Sequence, residues 1–106
     1  MKLTVLGCLG AYPYKGQGTT GYLLQSGDFN LLLDCGSTTL VRLEEILDPL
    51  ALDAAIISHY HHDHIADLGV LQYYWQLHPT RESKKVLPIY GHTLDTVHFE
   101  ELTLPN

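Results

Sequence analysis

The sequence is short of bases, short of cysteine and without a long apolar run, and each shortage argues against a class of function. Six Lys and Arg stand against twelve Asp and Glu, a formal net charge of -6. A nucleic-acid groove works through Lys and Arg on phosphates, so this balance argues against one within the segment. The densest basic stretch, Arg81, Lys84 and Lys85, reads as a solvated loop. The two cysteines, Cys8 and Cys35, each lie in or beside an apolar run, where a thiol serves as a small buried hydrophobe. No stretch reaches the roughly 20 apolar residues of a membrane helix, so no membrane partner is expected. Met1-Lys2 leads directly into a strand-like run without the apolar core of a signal peptide. The expected setting is soluble, reducing and cytoplasmic.

What remains is a chain of 106 residues, 45% hydrophobic and 17% charged, enough for a packed core in a single domain over 1–106. So short a chain buries a small share of its surface, and half of a larger domain would carry an exposed apolar seam. Leu3-Thr4-Val5-Leu6 is β-prone, and 9–21, rich in Gly, Tyr, Pro and Thr, reads as an ordered loop. Two apolar runs, Tyr22 to Ser26 and Phe29 to Asp34, flank Gly27-Asp28 as a β-hairpin. Gly36-Ser37-Thr38 offers a helix N-cap before Leu40, Val41, Leu43, Ile46 and Leu47, and Pro49 ends that helix. Ala54-Ala55-Ile56-Ile57 suits a strand covered on both faces. A helix over Ile65 to Leu77, a strand over Val86 to Tyr90 with Pro88 near an edge or end, and a helix from about Thr93 complete the order. Strands alternating with helices give an α/β class, α+β in layers, with helices packed on a sheet.

The compositional anomaly is histidine: seven in all, with five of the six residues from His59 to His64 being His or Asp. Neutral imidazole and carboxylate are ligands for zinc and similar divalent ions. Residues two apart in an extended stretch point the same way, so His59 and His61 can grip one ion. After a turn, Asp63 and His64 can diverge and serve a second ion. His62 falls between the alternating positions and faces away. His78, His92 and His98 read as ordinary loop or helix residues.

His59-x-His61-x-Asp63-His64 after an apolar strand resembles the signature of the metallo-β-lactamase superfamily. Leu6-Gly7-Cys8-Leu9-Gly10, Leu33-Asp34-Cys35-Gly36 and Pro88-Ile89-Tyr90-Gly91 resemble its ribonuclease-Z-like phosphodiesterase branch. The resemblance implies the N-terminal half of an αββα sandwich and two divalent ions, zinc first, with manganese and iron left open. It implies a metal-bridged hydroxide as nucleophile, with Asp63 beside that water. Asp34 would be the buried acid that supports the metal loop through hydrogen bonds. Such centres are completed by later segments, with a further His for each metal and a bridging Asp. His92, His98, Glu100 and Glu101 come too early for that role. Catalysis by this chain alone is therefore not expected, and it is expected to pair with a missing C-terminal half or with a second copy.

Three functions stay in view. The first is phosphodiester hydrolysis by the whole protein; the second is thioester, lactone or β-lactam hydrolysis at the same centre; the third is a non-catalytic metal-binding or assembly module. One further motif is a decoy. Gly16-Gln17-Gly18-Thr19-Thr20-Gly21 matches the dinucleotide pattern G-x-G-x-x-G, but a strand-like run follows it instead of a helix. The segment reads instead as a loop at the mouth of the metal site.

Overall fold

A computed structural model describes residues 1–78, 86–94, 97 and 100. Strand β1 (Lys2–Gly7) pairs antiparallel with β2 (Gly21–Ser26), and β2 with β3 (Phe29–Leu33), around the expected turn at Gly27-Asp28. From β3 the chain passes through helix α1 (Thr39–Glu44) and a 3-10 turn (Pro49–Ala51) to β4 (Ala54–Ile57), which lies parallel to β3. It continues through α2 (His62–Ile65) and α3 (Leu68–Leu77) to β5 (Ile89–Gly91), parallel to β4. The five strands stand in the order β1-β2-β3-β4-β5. Two successive crossovers advance the same way along the sheet, and their usual right hand places both on one face.

The strand register shows which face that is. Leu23, Leu32, Ala55 and Ile89 are cross-strand neighbours. The first three are buried, and Leu40, Leu43, Leu50, Leu68, Leu71 and Trp75 cover them. Trp75 also donates its indole N–H to Pro49 O at 3.1 Å, tying α3 to the 3-10 turn. The opposite face carries Leu3, Val5, Tyr22, Leu24, Leu31, Leu33, Ile56 and Tyr90. There Leu3 and Val5 are each 57% exposed, Ile56 40% and Tyr90 59%. β4 is thus not covered on both faces as its apolar run implies, because no second layer of described residues lies over Ile56.

Other expectations shift for local reasons. The helix expected over 65–77 begins at Leu68 as α3, and Ile65 instead ends a separate short helix, α2, on the other side of Ala66 and Asp67. Asp67 is held by tertiary contacts: its N–H donates to Cys35 O at 3.0 Å and its Oδ2 accepts from Leu40 N at 3.0 Å. β5 begins at Ile89 and not at Val86; Pro88 lacks an N–H for the ladder and contributes only its carbonyl, to Ala55 N. Thr38 occupies the N-cap of α1, but in a left-handed conformation and without a side-chain cap bond. Cys35 is buried as expected, whereas Cys8 is exposed. The helix expected from Thr93 falls mostly outside the described residues, as do Arg81, Lys84, Lys85, His98 and Glu101.

Two of the decoy glycines, Gly18 and Gly21, have a packing role against the start of α1. A Cβ at Gly18 would collide with Thr38 Oγ1 and Ser37 O, so glycine lets the β1–β2 loop lie directly on the start of α1.

Candidate metal centre

Three segments meet at the carboxyl end of the parallel strands, where open α/β sheets place their ligands. They are the turn after β3, the loop after β4, and the β1–β2 loop. The first supplies Asp34, whose φ of 61° is a left-handed conformation that Asp tolerates better than most residues. Its N–H donates to Ile56 O at 2.8 Å, which fixes the turn against β4.

Asp34 is 7% exposed, and its side chain gathers three donors. Oδ1 accepts the Ser58 N–H at 2.7 Å; Oδ2 accepts the Ser58 hydroxyl at 2.7 Å and lies 2.7 Å from His64 Nδ1. The next two residues hold the backbone of the same loop. Cys35 N donates to His64 O at 2.8 Å. Gly36 passes so close that a Cβ would collide with Asp63 O and Thr19 Oγ1. Burial pushes the Cys35 thiol far up from its ordinary range, with Asp67 and Asp34 adding to the effect, so Cys35 stays a neutral thiol.

Above this floor the imidazoles cluster. The His59 ring centroid lies 3.9 Å from that of His64 and 4.7 Å from that of His61, the latter pair edge-on at 84°. Asp63 Oδ2 lies 3.5 Å from His64 Nε2 and accepts the Ala11 N–H at 3.0 Å. That hydrogen bond is the largest influence and holds the Asp63 carboxyl below its ordinary range against the opposing effect of burial, with His64 and, more weakly, His61 also lowering it. The β1–β2 loop touches this cluster through the backbone of Ala11, itself left-handed at φ 69°, which precedes the 16–21 segment.

The remaining candidates fall elsewhere. His62 is exposed at the start of α2, and His78 stacks on Tyr74 at 4.5 Å beyond α3. His92 follows β5, where its Nδ1 accepts the Leu94 N–H at 3.2 Å and its ring lies 4.6 Å from Tyr60. Glu100 is exposed. Two participants escaped the reading of the sequence: Ser58, which immediately precedes the histidine run, and Ala11, which acts only through its backbone.

The donor chemistry suits divalent ions in part. His59 and His64 each have Nδ1 engaged, by Ser58 and Asp34, which leaves Nε2 as the nitrogen available to a metal. Among the described residues, however, no three His, Cys, Asp or Glu side chains form a set able to hold one ion unaided. A catalytic zinc ordinarily keeps three protein ligands.

Comparison with known proteins gives the family. The family model of the Metallo-beta-lactamase superfamily matches residues 14–102. The chain belongs to that superfamily, and its sheet with helices on one face is the N-terminal part of the corresponding fold. Among individual relatives, it is 49% identical over 104 residues to "Probable metallo-hydrolase YhfI" of Bacillus subtilis (strain 168), covering 97% of this chain and 43% of that protein. The crystal structure of YhfI superposes with a TM-score of 0.89 at 48% identity, over 97% of this chain and 41% of that one. Human tRNase Z, short form, matches with a TM-score of 0.63 at 32% identity, over 67% of this chain and 28% of that structure. Ribonuclease Z of Clostridium acetobutylicum is 32% identical over 69 residues, 64% of this chain and 22% of that protein. The chain thus spans less than half the length of each relative.

Proposed function

We propose that this chain supplies one half of a binuclear metal-dependent hydrolase centre, and that the bond cleaved is a phosphodiester. The observation that carries the reading is the buried carboxylate of Asp34 gathering Ser58 and His64 beneath three clustered imidazoles. Such an arrangement fixes rings as ligands and is hard to justify as a surface loop. His59 and His61 would hold one ion, and Asp63 and His64 the other. Zinc is the first choice, with manganese and iron compatible with the same donors. Bound there, divalent ions supply Lewis acidity and make a coordinated water acidic near neutral pH. Asp63, whose Oδ2 accepts the Ala11 N–H, would both ligate and orient that water. The ribonuclease Z relatives support phosphodiesters over thioesters, lactones or β-lactams, since the histidine motif alone does not discriminate between them.

The test is an assay on the full-length protein with a phosphodiester, a thioester and a lactone side by side. Phosphodiester cleavage dependent on His59 and Asp63 is expected. Turnover of only the thioester or lactone would overturn the choice of bond.

A second reading, an assembly module, rests on the bare sheet face bearing Leu3, Val5, Ile56 and Tyr90. Apolar surface of this kind calls for a cover, here the remaining layers of the sandwich. Sedimentation of the chain as a clean monomer with low dye binding would count against it.

A further inference from the structure

We propose that Ser58 is a positioning residue that extends the grip of Asp34 from His64 to His59, so that one buried carboxylate sets the ring tautomers of ligands to both metal ions. The inference rests on the assignment of His59 and His64 to the metal centre and adds how their donor atoms are selected.

The argument is a count of protons. An ionised carboxylate only accepts, so the 2.7 Å contact between His64 Nδ1 and Asp34 Oδ2 requires a proton on Nδ1. The lone pair of neutral His64 then sits on Nε2. Ser58 has one hydroxyl proton, and it is committed to the same Oδ2 at 2.7 Å. Toward His59 Nδ1, 3.0 Å away, Ser58 Oγ can therefore only accept. His59 must carry its proton on Nδ1 as well, which leaves Nε2 as its lone-pair nitrogen. The relay is direct for one ring and passes through one hydroxyl for the other.

Two further features favour a built arrangement over coincidence. The Ser58 main-chain N–H also donates to Asp34, through Oδ1 at 2.7 Å, so backbone and side chain of one residue are locked to one carboxylate. Free histidine in water prefers the opposite tautomer, with the proton on Nε2. Without the serine, His59 would present its lone pair at Nδ1, on the side of the ring facing its own backbone. Ordering the ligand in advance removes that reorganisation from metal binding.

The experiment reads the tautomers without metal and without turnover. Two-bond proton–nitrogen correlation spectra of the labelled, metal-free full chain, taken about two pH units above the ordinary histidine value, distinguish the two neutral forms. Wild type should show His59 and His64 both protonated at Nδ1. Ser58→Ala should release His59 toward the Nε2 form while His64 stays fixed. Ser58→Thr, which keeps the hydroxyl at an exposed position, should restore the wild-type pattern. Zinc affinity should fall about 10- to 100-fold in Ser58→Ala, the usual range for an outer partner of a ligand, and recover in Ser58→Thr. A wild-type His59 protonated at Nε2, or a His59 unchanged in Ser58→Ala, would overturn the proposal. Should Ser58→Ala fail to fold, wild type and Ser58→Thr still decide it. Fixed tautomers with no response of either ring to added zinc would uphold the relay and overturn the metal assignment beneath it.

Discussion

Replacing Asp34 by Asn is the sharpest perturbation of the site, because it changes one atom and leaves the backbone requirement intact. Asn accepts the left-handed conformation seen at φ 61° about as well as Asp, so no conformational penalty is mixed into the result. The amide oxygen can keep the bond from the Ser58 N–H. Where Oδ2 stood, an NH2 group now faces two former donors, the Ser58 hydroxyl and His64 Nδ1, at 2.7 Å each. Hydrogen bonds to a charged group contribute about 1.5–3 kcal/mol each. Taking both at the low end, because the hydroxyl can rotate and the ring can change tautomer, stability should fall by about 3 kcal/mol. The change of tautomer matters more: His64 would accept at Nδ1 and carry its proton on Nε2, the nitrogen the metal needs. Zinc affinity should drop about 10- to 100-fold. Denaturant melts give the first quantity and competition with a chelating dye the second. A folded Asp34→Asn chain with wild-type zinc affinity would refute the reasoning, since Asp34 would then be a plain turn acid.

Three further outcomes follow from the same geometry. Gly36→Ala should destabilise the chain by about 1–3 kcal/mol, the usual cost of overpacking, and weaken zinc binding, because its Cβ would press on Asp63 O; unchanged melting and binding would show that the loop can yield. With a thiol reagent on the native chain, Cys8 should react and Cys35 should not until the chain unfolds, since Cys8 is exposed and burial holds the Cys35 thiol far above its ordinary range. In the metal-free chain Asp63 should titrate below the ordinary Asp value because Ala11 N–H stabilises its charge. A folded-state value below the unfolded one stabilises the chain at pH above the unfolded value, and that contribution disappears as pH falls through the folded value. Carboxyl-carbon NMR titration checks it, and an Asp63 value at or above the ordinary one would contradict the contact.

Much of this was legible in the residues. The hairpin at Gly27-Asp28, the strand Ala54–Ile57 and the histidine run all carry local signals: a turn pair between apolar runs, an unbroken apolar stretch, and metal-ligand spacing. Asp34 could be named because a family resemblance pointed to it; nothing in its local sequence separates it from any turn acid. Ser58 and Ala11 were not legible. Ser58 works on a residue 24 positions away, and Ala11 bonds through its backbone to Asp63, 52 positions away. Neither has a side-chain type that announces a role. The break between α2 and α3 was hidden for a similar reason, since Asp67 leaves the helix to satisfy Cys35 and Leu40 across the chain. Ile56 misled in the other direction: an apolar run implies cover on both faces, and among the described residues Ile56 is left exposed.

The central claim is that His59, His61, Asp63 and His64 are metal ligands oriented by Asp34. Titrating zinc into the nitrogen-labelled full-length protein and following the histidine ring nitrogens tests it most directly. The account predicts that Nε2 of His59 and of His64 shift together with the ring of His61, while His78 stays where it was. Shifts centred on His78 or His92, or no movement of the three clustered rings, would contradict it.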